Sequence, residues 1–342
     1  MRLNREQFLE TLELVKPGVS KQEVVEQSSC FVFDRGWVQT YNDEVACWAK
    51  TPLKISGAVS AEPLLELLHK MAEDEITIVQ ENGELIIGGK NRSAGIALQS
   101  EVTLPNDGVE RPEAWHDLPA EFIEAIGIVQ ECAGKDESQF VMTCIHLHPK
   151  WIEACDNAQA VRYRIATGLS EPCLAKRDSL KHIVSMGMTQ FGETASWLHF
   201  RSPSKAILAC RRWSEDYPSL RDILNVQGEP FSLPKGLSDA AEKAAVFARQ
   251  NQMDDQISIE LKPGVLWIKG HGVHGWYKEK KKINYTGRPL SFTIGPELLS
   301  QIVKRHAECE ITKARLKVDG GKFKYVSCLG TSEELPEVEP EE

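Results

Sequence analysis

The sequence predicts an α+β protein of three tandem domains, each made of two helix-plus-strands halves, and three observations carry that prediction. Amphipathic helix signals recur six times, opening near Asn4, Ala61, Leu118, Arg177, Ser238 and Gly295, at intervals of about 57 to 61 residues. Between consecutive helices lie runs rich in β-branched and aromatic residues, so the repeating unit is a helix followed by a few strands. Such a unit cannot bury both faces alone; the units therefore pair, and six make three domains of about 110 residues, a usual size for one core. The boundaries fall at residues 1–112, 113–226 and 227–331, with 332–342 as a tail. Stretches rich in Pro, Gly and Asp near 105–117 and 214–230 serve as linkers.

In the first third, Asn4 with Gln7 three residues on has the pattern of a capping box, and Phe8, Leu12 and Val15 line one helical face. CFVFDRGWVQTYN and EVACWAKTPL follow as hairpin strands, with turns at Asp34-Arg35-Gly36 and Tyr41-Asn42-Asp43. Ser60 is placed to cap the second helix, whose stripe is Leu64, Leu65, Leu68 and Met71. ITIVQ, ELIIGG and AGIALQ complete the third, and Asn82-Gly83 is a two-residue hairpin turn.

The second third repeats this order. Pro119 sits near the first helical position, and Phe122, Ile123, Ile126 and Val129 follow at helical spacing. FVMTCIHLH and AVRYRIATG read as strands, RDSLKHIVSM as a helix stopped by Gly187, and SWLHF and AILACRRW as strands again. The last third runs from the helix SDAAEKAAVFARQ through QISIELK, GVLWIKG and GWYKEKKKINY to the helix PELLSQIVKRHA. ITKARLKV and KFKYVSCL close it, with a turn at Asp319-Gly320.

Of the 342 residues, 42% are hydrophobic and 26% charged, a globular balance rather than a disordered one. No run of 18 apolar residues exists, the N-terminus reads as an amphipathic helix, and the nine cysteines are scattered without a CxxC pair; a cytoplasmic protein without a membrane partner is expected. The net charge of -10 argues at first against nucleic acid, but it hides a gradient. Residues 1–112 carry 11 Lys/Arg against 18 Asp/Glu, residues 227–331 carry 17 against 11, and residues 332–342 hold six glutamates. One end is acidic and the other basic, and the tail has the composition of a disordered segment.

Several stretches resemble the bacterial DNA polymerase sliding clamp, the β subunit family. WSEDYPSLRDIL is similar to the family's junction between its second and third domains, and INYTGRPLSFTIGPELLSQIV to a segment of its third domain. ACDNAQAVRYRIAT and KFKYVSCLG resemble the strand-turn-strand and last strand that help form its partner pocket. The resemblance spans residues 1 to about 330 and fits a divergent, phage-encoded member. It implies clamp domains with helices on the inner face and antiparallel sheets outside. It also implies that two chains join head to tail into a homodimeric ring around double-stranded DNA.

Such a protein is a processivity factor rather than an enzyme. It needs no cofactor, is put on DNA by a clamp loader, and tethers the DNA polymerase to raise its effective concentration at the template. It works in the bacterial cytoplasm or nucleoid.

The family's peptide pocket, carried over position by position, falls on Met142, Cys155, Asn157, Ala160, Pro218, Ile223, Val326 and Cys328. Where the family usually reads Thr-Asp-Gly-His-Arg-Leu, this chain keeps only Asp156 between Cys155 and Ala160. The bland reading of the set is ordinary interdomain core. Sequence-independent DNA contact falls to basic residues of the helices and nearby loops: Lys21, Lys70, Lys176, Arg177, Lys181, Lys243, Arg249, Lys304 and Arg305. The third helix offers Glu121, Glu124 and Glu131 instead. The acidic first domain and basic third domain place opposite signs across a head-to-tail interface, with Lys278, Lys280, Lys281 and Lys282 facing Glu66, Glu73, Asp74 and Glu75. The alternative for the lysines is a solvated edge strand.

His146, His148, His271 and His274 lack a second ligand pair at structural-zinc spacing, so no metal is expected. Gly134-Lys135-Asp136 lacks the frame of a phosphate loop, and no nucleophile elbow occurs. The competing function is a clamp-like interaction scaffold that binds peptides or proteins without encircling DNA.

Overall fold

The computed structural model describes residues 1–23, 25–248, 256–305 and 308–331. Contacts divide the chain into two compact units, one formed by Met1–Ile152 with Ile165–Tyr217, the other by Glu153–Arg164 with the residues from Pro218 onward. The acidic tail, 332–342, lies outside the described residues.

The first unit is built on a twelve-stranded antiparallel sheet that begins with Arg2–Asn4 and ends with His116–Asp117. At its centre Val45–Lys50 pairs with Ile207–Arg211, so strands from the first and second thirds share one ladder. Helices pack by the stripes that the sequence shows. Phe8, Leu12 and Val15 of Arg5–Val15 are buried, as are Leu64, Leu65 and Leu68 of Ala61–Lys70, and the Phe8 ring stacks on Phe33 of the sheet. Asn4 caps the first helix, its Oδ1 accepting the Gln7 N–H at 3.0 Å. Asn82 and Gly83 both have positive φ, 51° and 79°, which matches the twist of a tight hairpin and joins Glu75–Glu81 to Glu84–Gly88.

In the second unit, Gln159–Arg164 pairs with Phe323–Cys328, followed by Arg315–Asp319, Glu308–Ile311 and Glu229–Ser232. A separate five-stranded sheet runs Gly275–Lys282, Val265–Gly272, Ile257–Lys262, Leu290–Ile294 and Gly330–Thr331. The alanine-rich helix Leu237–Ala248 buries Ala240, Ala241, Ala244, Ala245 and Ala248. Its small side chains allow close backbone approach.

One pairing scheme recurs in all three thirds. A short opening strand pairs with the strand after the second helix: Arg2–Asn4 with Glu75–Glu81, His116–Asp117 with Gln190–Glu193, and Glu229–Ser232 with Glu308–Ile311. The residues before the second helix bridge to the end of the third: Ala58 to Gln99, Leu174 to Trp213, Thr293 to Gly330. The fourth strand of one third, counting the opening strand, pairs with a late strand of the next, Val45–Lys50 with Ile207–Arg211 and Gln159–Arg164 with Phe323–Cys328. The remaining strand of that kind, Gly275–Lys282, is a sheet edge.

Four local expectations change. The third helix begins at Phe122 rather than near Pro119, because His116–Asp117 joins the sheet and the Leu118 N–H donates to the Thr189 carbonyl at 2.8 Å. The Ser60 side chain makes no capping bond; the Ala61 N–H finds the Ser29 carbonyl instead, at 3.1 Å. FVMTCIHLH is a strand only from Cys144, since Phe140–Thr143 forms a helical turn with the Phe140 ring 5.1 Å from Trp213. ITKARLKV breaks into a hairpin because Thr312 Oγ1 accepts the Ala314 and Arg315 N–H groups and turns the chain.

Candidate peptide pocket and basic helix surfaces

The residues of the expected peptide pocket divide between the units. In the second unit a hairpin turn follows Cys155, held by Asp156: its Oδ1 accepts the Ala158 and Gln159 N–H groups at 2.7 and 2.8 Å, an Asx turn. That turn leaves Asn157 exposed and returns the chain as Gln159–Arg164, where Ala160 lies opposite Val326. The Cys328 N–H donates to the Ala158 carbonyl at 2.7 Å, and the Tyr325 hydroxyl donates to Gln159 Oε1 at 3.1 Å. Asn157, Ala160, Val326 and Cys328 therefore sit along one seam. Cys155, Ala160 and Val326 are only 4%, 2% and 1% exposed, so they form its floor, and Cys328 is exposed. Pro218 and Ile223 are half-buried in the linker of the same unit. Met142, in the first unit, is half-buried on the Phe140–Thr143 turn, its carbonyl accepting the Gly134 N–H.

The basic candidates differ sharply in availability. Lys21, Lys70, Lys181, Lys243 and Lys304 are exposed. Four of them have surface carboxylate partners: Lys70 with Glu66 at 2.8 Å, Lys181 with Asp178 at 3.0 Å, Lys243 with Glu279 at 3.9 Å and Lys304 with Glu242 at 3.5 Å. Exposed pairs of this kind are worth about 0–1 kcal/mol, so a phosphate competes with them easily. Lys176 is different. Its side chain is 13% exposed and lies between Glu44 at 2.5 Å and Glu137 at 3.0 Å. Burial pulls its pKa down, but the two carboxylates outweigh that and hold it above the ordinary lysine value. It is neutralised in place and makes a poor phosphate contact.

Arg177 is half-buried, bonded to Asp178 at 3.2 Å and to the Ala133 carbonyl at 3.4 Å. Burial pushes the Asp178 carboxyl up, yet Lys181 and Arg177 bring it below its usual range. Arg249 lies outside the described residues, and only the backbone of Arg305 is described, at the end of the helix Pro296–Arg305.

Of the acidic interface candidates, Glu66 holds Lys70, Glu73 holds Arg92 at 2.9 Å and Glu75 holds Arg2, while Asp74 is exposed and its carbonyl accepts the Arg5 N–H. On the edge strand Gly275–Lys282 exposure alternates residue by residue. Trp276, Lys278, Lys280 and Lys282 occupy one face, with Lys278 4.4 Å and Lys280 5.7 Å from the Trp267 ring centre. Lys281 is on the other face, paired with Glu279, whose carboxyl it pulls below the usual range with help from the Tyr277 hydroxyl.

His148 stacks on Trp151 at 3.5 Å and accepts the Lys150 N–H, and His146 stacks on Tyr217 at 5.0 Å, while His271 and His274 are exposed. Among the described residues no three His, Cys, Asp or Glu side chains come together as a metal site, and no helix is long and apolar enough to cross a membrane. The sequence motifs missed the carboxylate pair around Lys176, whose partners lie far away in the chain.

Solved structures similar to this chain span nearly its whole length. The DnaN sliding clamp (DNA polymerase III subunit beta) of Pseudomonas aeruginosa, bound to griselimycin, aligns with a TM-score of 0.80 at 12% identity, covering 97% of this chain and 99% of that one. The DNA polymerase III beta chain of Streptococcus pneumoniae aligns with a TM-score of 0.81 at 14% identity, and the beta subunit of Thermotoga maritima with 0.80 at 12%, both over 97% of this chain and 99% of theirs. No protein-family model matches the chain, and no curated protein sequence does. At these identities the likeness is one of fold: the chain has the fold of the bacterial sliding clamps.

Proposed function

We propose that the chain is a DNA sliding clamp, a processivity factor of three domains, 1–112, 113–226 and 227–331, that encircles duplex DNA and tethers a replicative polymerase. The observation that carries this reading is the incomplete pairing scheme within the clamp fold. Two of its three joins between successive thirds are made inside the chain. The third would join Gly275–Lys282 to Ser93–Gln99, whose ladder toward Gly57–Ser60 involves only Leu98 and Gln99. Two copies meeting head to tail complete that join twice and close a homodimeric ring. The lysines of the edge strand supply positive charge there, and the acidic first domain supplies the opposite sign.

DNA contact falls to Lys21, Lys70, Lys181, Lys243, Lys304 and Arg177, and Lys176 drops out of the set. A sliding ring needs contacts that are weak and independent of sequence, which exposed lysines in exchangeable ion pairs provide. The seam of Asn157, Ala160, Val326 and Cys328, with Pro218 and Ile223 in the same unit, is the peptide-binding surface for the polymerase and the clamp loader. Such a protein acts in the bacterial cytoplasm or nucleoid and has no catalytic activity of its own.

The test is primer extension by the cognate polymerase on a long circular template, with the protein and its loader present or withheld. Longer products per binding event with both present support the reading. Unchanged product length, with loader activity proven separately, contradicts it and favours a scaffold that binds peptides without encircling DNA. The neutralised Lys176 and the absence of any Lys or Arg in Phe122–Val129 are the observations that favour that second reading.

A further inference from the structure

A cleft of about 680 Å³ opens in the first unit, and nothing in the clamp reading uses it. Its floor is one row of side chains across four strands: Gln39 opposite Trp48, Trp48 opposite Ile207, and Ile207 opposite Arg201. Opposed residues in such a row project from the same face of the sheet. Trp37, two residues from Gln39, shares that face, and Trp115 lines the cleft from the linker. The equivalent row in the second unit is closed by chemistry. There Arg162, opposite Lys324, bonds Glu153 at 2.6 Å. In the first unit Gln39 and Trp48 stand in place of that ion pair.

The walls are fixed in place. Arg201 donates from two of its nitrogens to Gln190 Oε1, at 2.9 and 2.6 Å, and its guanidinium lies 4.2 Å from the Trp115 ring centre. The Trp115 ring meets His199 edge-on at 6.3 Å. Hydrogen-bonding capacity is left over. His199 is 3% exposed and lines the cleft, bonding the Glu110 backbone while its Nε2 has no partner. Asn106, on the same wall, has neither its Oδ1 nor its Nδ2 bonded. Buried polar atoms without partners are uncommon enough to need a cause.

We propose that this cleft docks an extended peptide segment of a partner protein, with one aromatic or large aliphatic side chain seated among Trp37, Trp48 and Trp115. The leftover groups match that occupant. The Asn106 amide offers N–H donors and a carbonyl acceptor, the complement of a peptide group, and the neutral His199 ring offers an acceptor for a peptide N–H. The charges at the cleft are mixed, Asp34, Asp107 and Glu110 with Arg35, Arg111 and Arg201, which suits a peptide and gives a polyanion no net attraction. The volume falls within the range of ligand-binding clefts. The proposal stands independently of DNA encirclement.

The probe is the capped peptide acetyl-Gly-Phe-Leu-Gly-amide, titrated into the full-length protein while the indole N–H signals of its eight tryptophans are followed by NMR. Saturable shifts of the Trp37, Trp48 and Trp115 signals are expected, with the other indoles unmoved. Asn106→Leu and Ile207→Glu should each weaken the response by about tenfold or more. Asn106→Leu alters only a linker side chain, so it keeps the test decisive if Ile207→Glu does not fold. The proposal is overturned by an absence of saturable shifts, by an equal response to acetyl-tetraglycine-amide, by full binding in Asn106→Leu, or by a thymidine octanucleotide binding there in preference to the peptide.

Discussion

Eight of the nine cysteines are buried, and burial raises the thiols of Cys47, Cys144 and Cys309 to about 12 and that of Cys173 to about 11. A thiol held neutral and out of water does not react as a nucleophile. The native protein should therefore consume one equivalent of a thiol reagent rapidly, Cys328→Ser should abolish that phase, and unfolding should release all nine. More than one fast thiol would contradict the burial pattern. His199 gives a pH prediction. Burial lowers its pKa from 6.5 to about 4, with a smaller opposing effect from the Glu110 backbone, and burial moves His182 the same way. A histidine depressed in the folded state stabilises it above pH 6.5, and that contribution is lost as the pH falls toward 4, by up to about 1.4 kcal/mol per pH unit. The urea midpoint should fall over this window, and less steeply in His199→Gln; an equal fall would place the acid sensitivity elsewhere. At this scale the sequence was only partly legible. The resemblance pointed to Ala160 and Val326, and the strands place these two opposite each other, but nothing local could show that Glu44 and Glu137 neutralise Lys176.

Helices were legible because their apolar stripes are written locally, as Phe8, Leu12 and Val15 show. The short strands Arg2–Asn4, Gly57–Ser60 and Gln190–Glu193 were not, since three or four residues carry no alternation and their partners lie far along the chain. Caps divide the same way. Asn4→Ala should cost about 1 kcal/mol in a urea titration, while Ser60→Ala, with no capping bond to lose, should cost much less. Equal losses would contradict the different roles of the two residues. The helix Leu237–Ala248 depends on close approach to the strand Val265–Gly272. A Cβ on Gly270 would lie 2.0 Å from the Ala244 carbonyl oxygen, closer than any backbone tolerates. Gly270→Ala should destabilise by about 1–3 kcal/mol, measured by the same titration, and a neutral effect would mean that the helix sits further from the sheet.

Across the whole molecule, the helix rhythm and the charge gradient were the legible parts, because both are sums over long stretches. Which edges remain open was not, because strand pairing such as Val45–Lys50 with Ile207–Arg211 depends on residues about 160 positions apart. The proposed ring makes that edge testable. Reversing Lys278, Lys280 and Lys282 together to glutamate should weaken self-association by about tenfold or more in sedimentation at low salt, with a smaller effect at high salt; an unchanged association constant would move the interface elsewhere. Topological retention on DNA separates a closed ring from a scaffold. The protein is loaded by its cognate loader onto nicked circular DNA, half the circles are linearised, and the bound fraction is measured on each. A closed ring should stay on circles and run off linear ends, and equal retention on both forms would contradict encirclement.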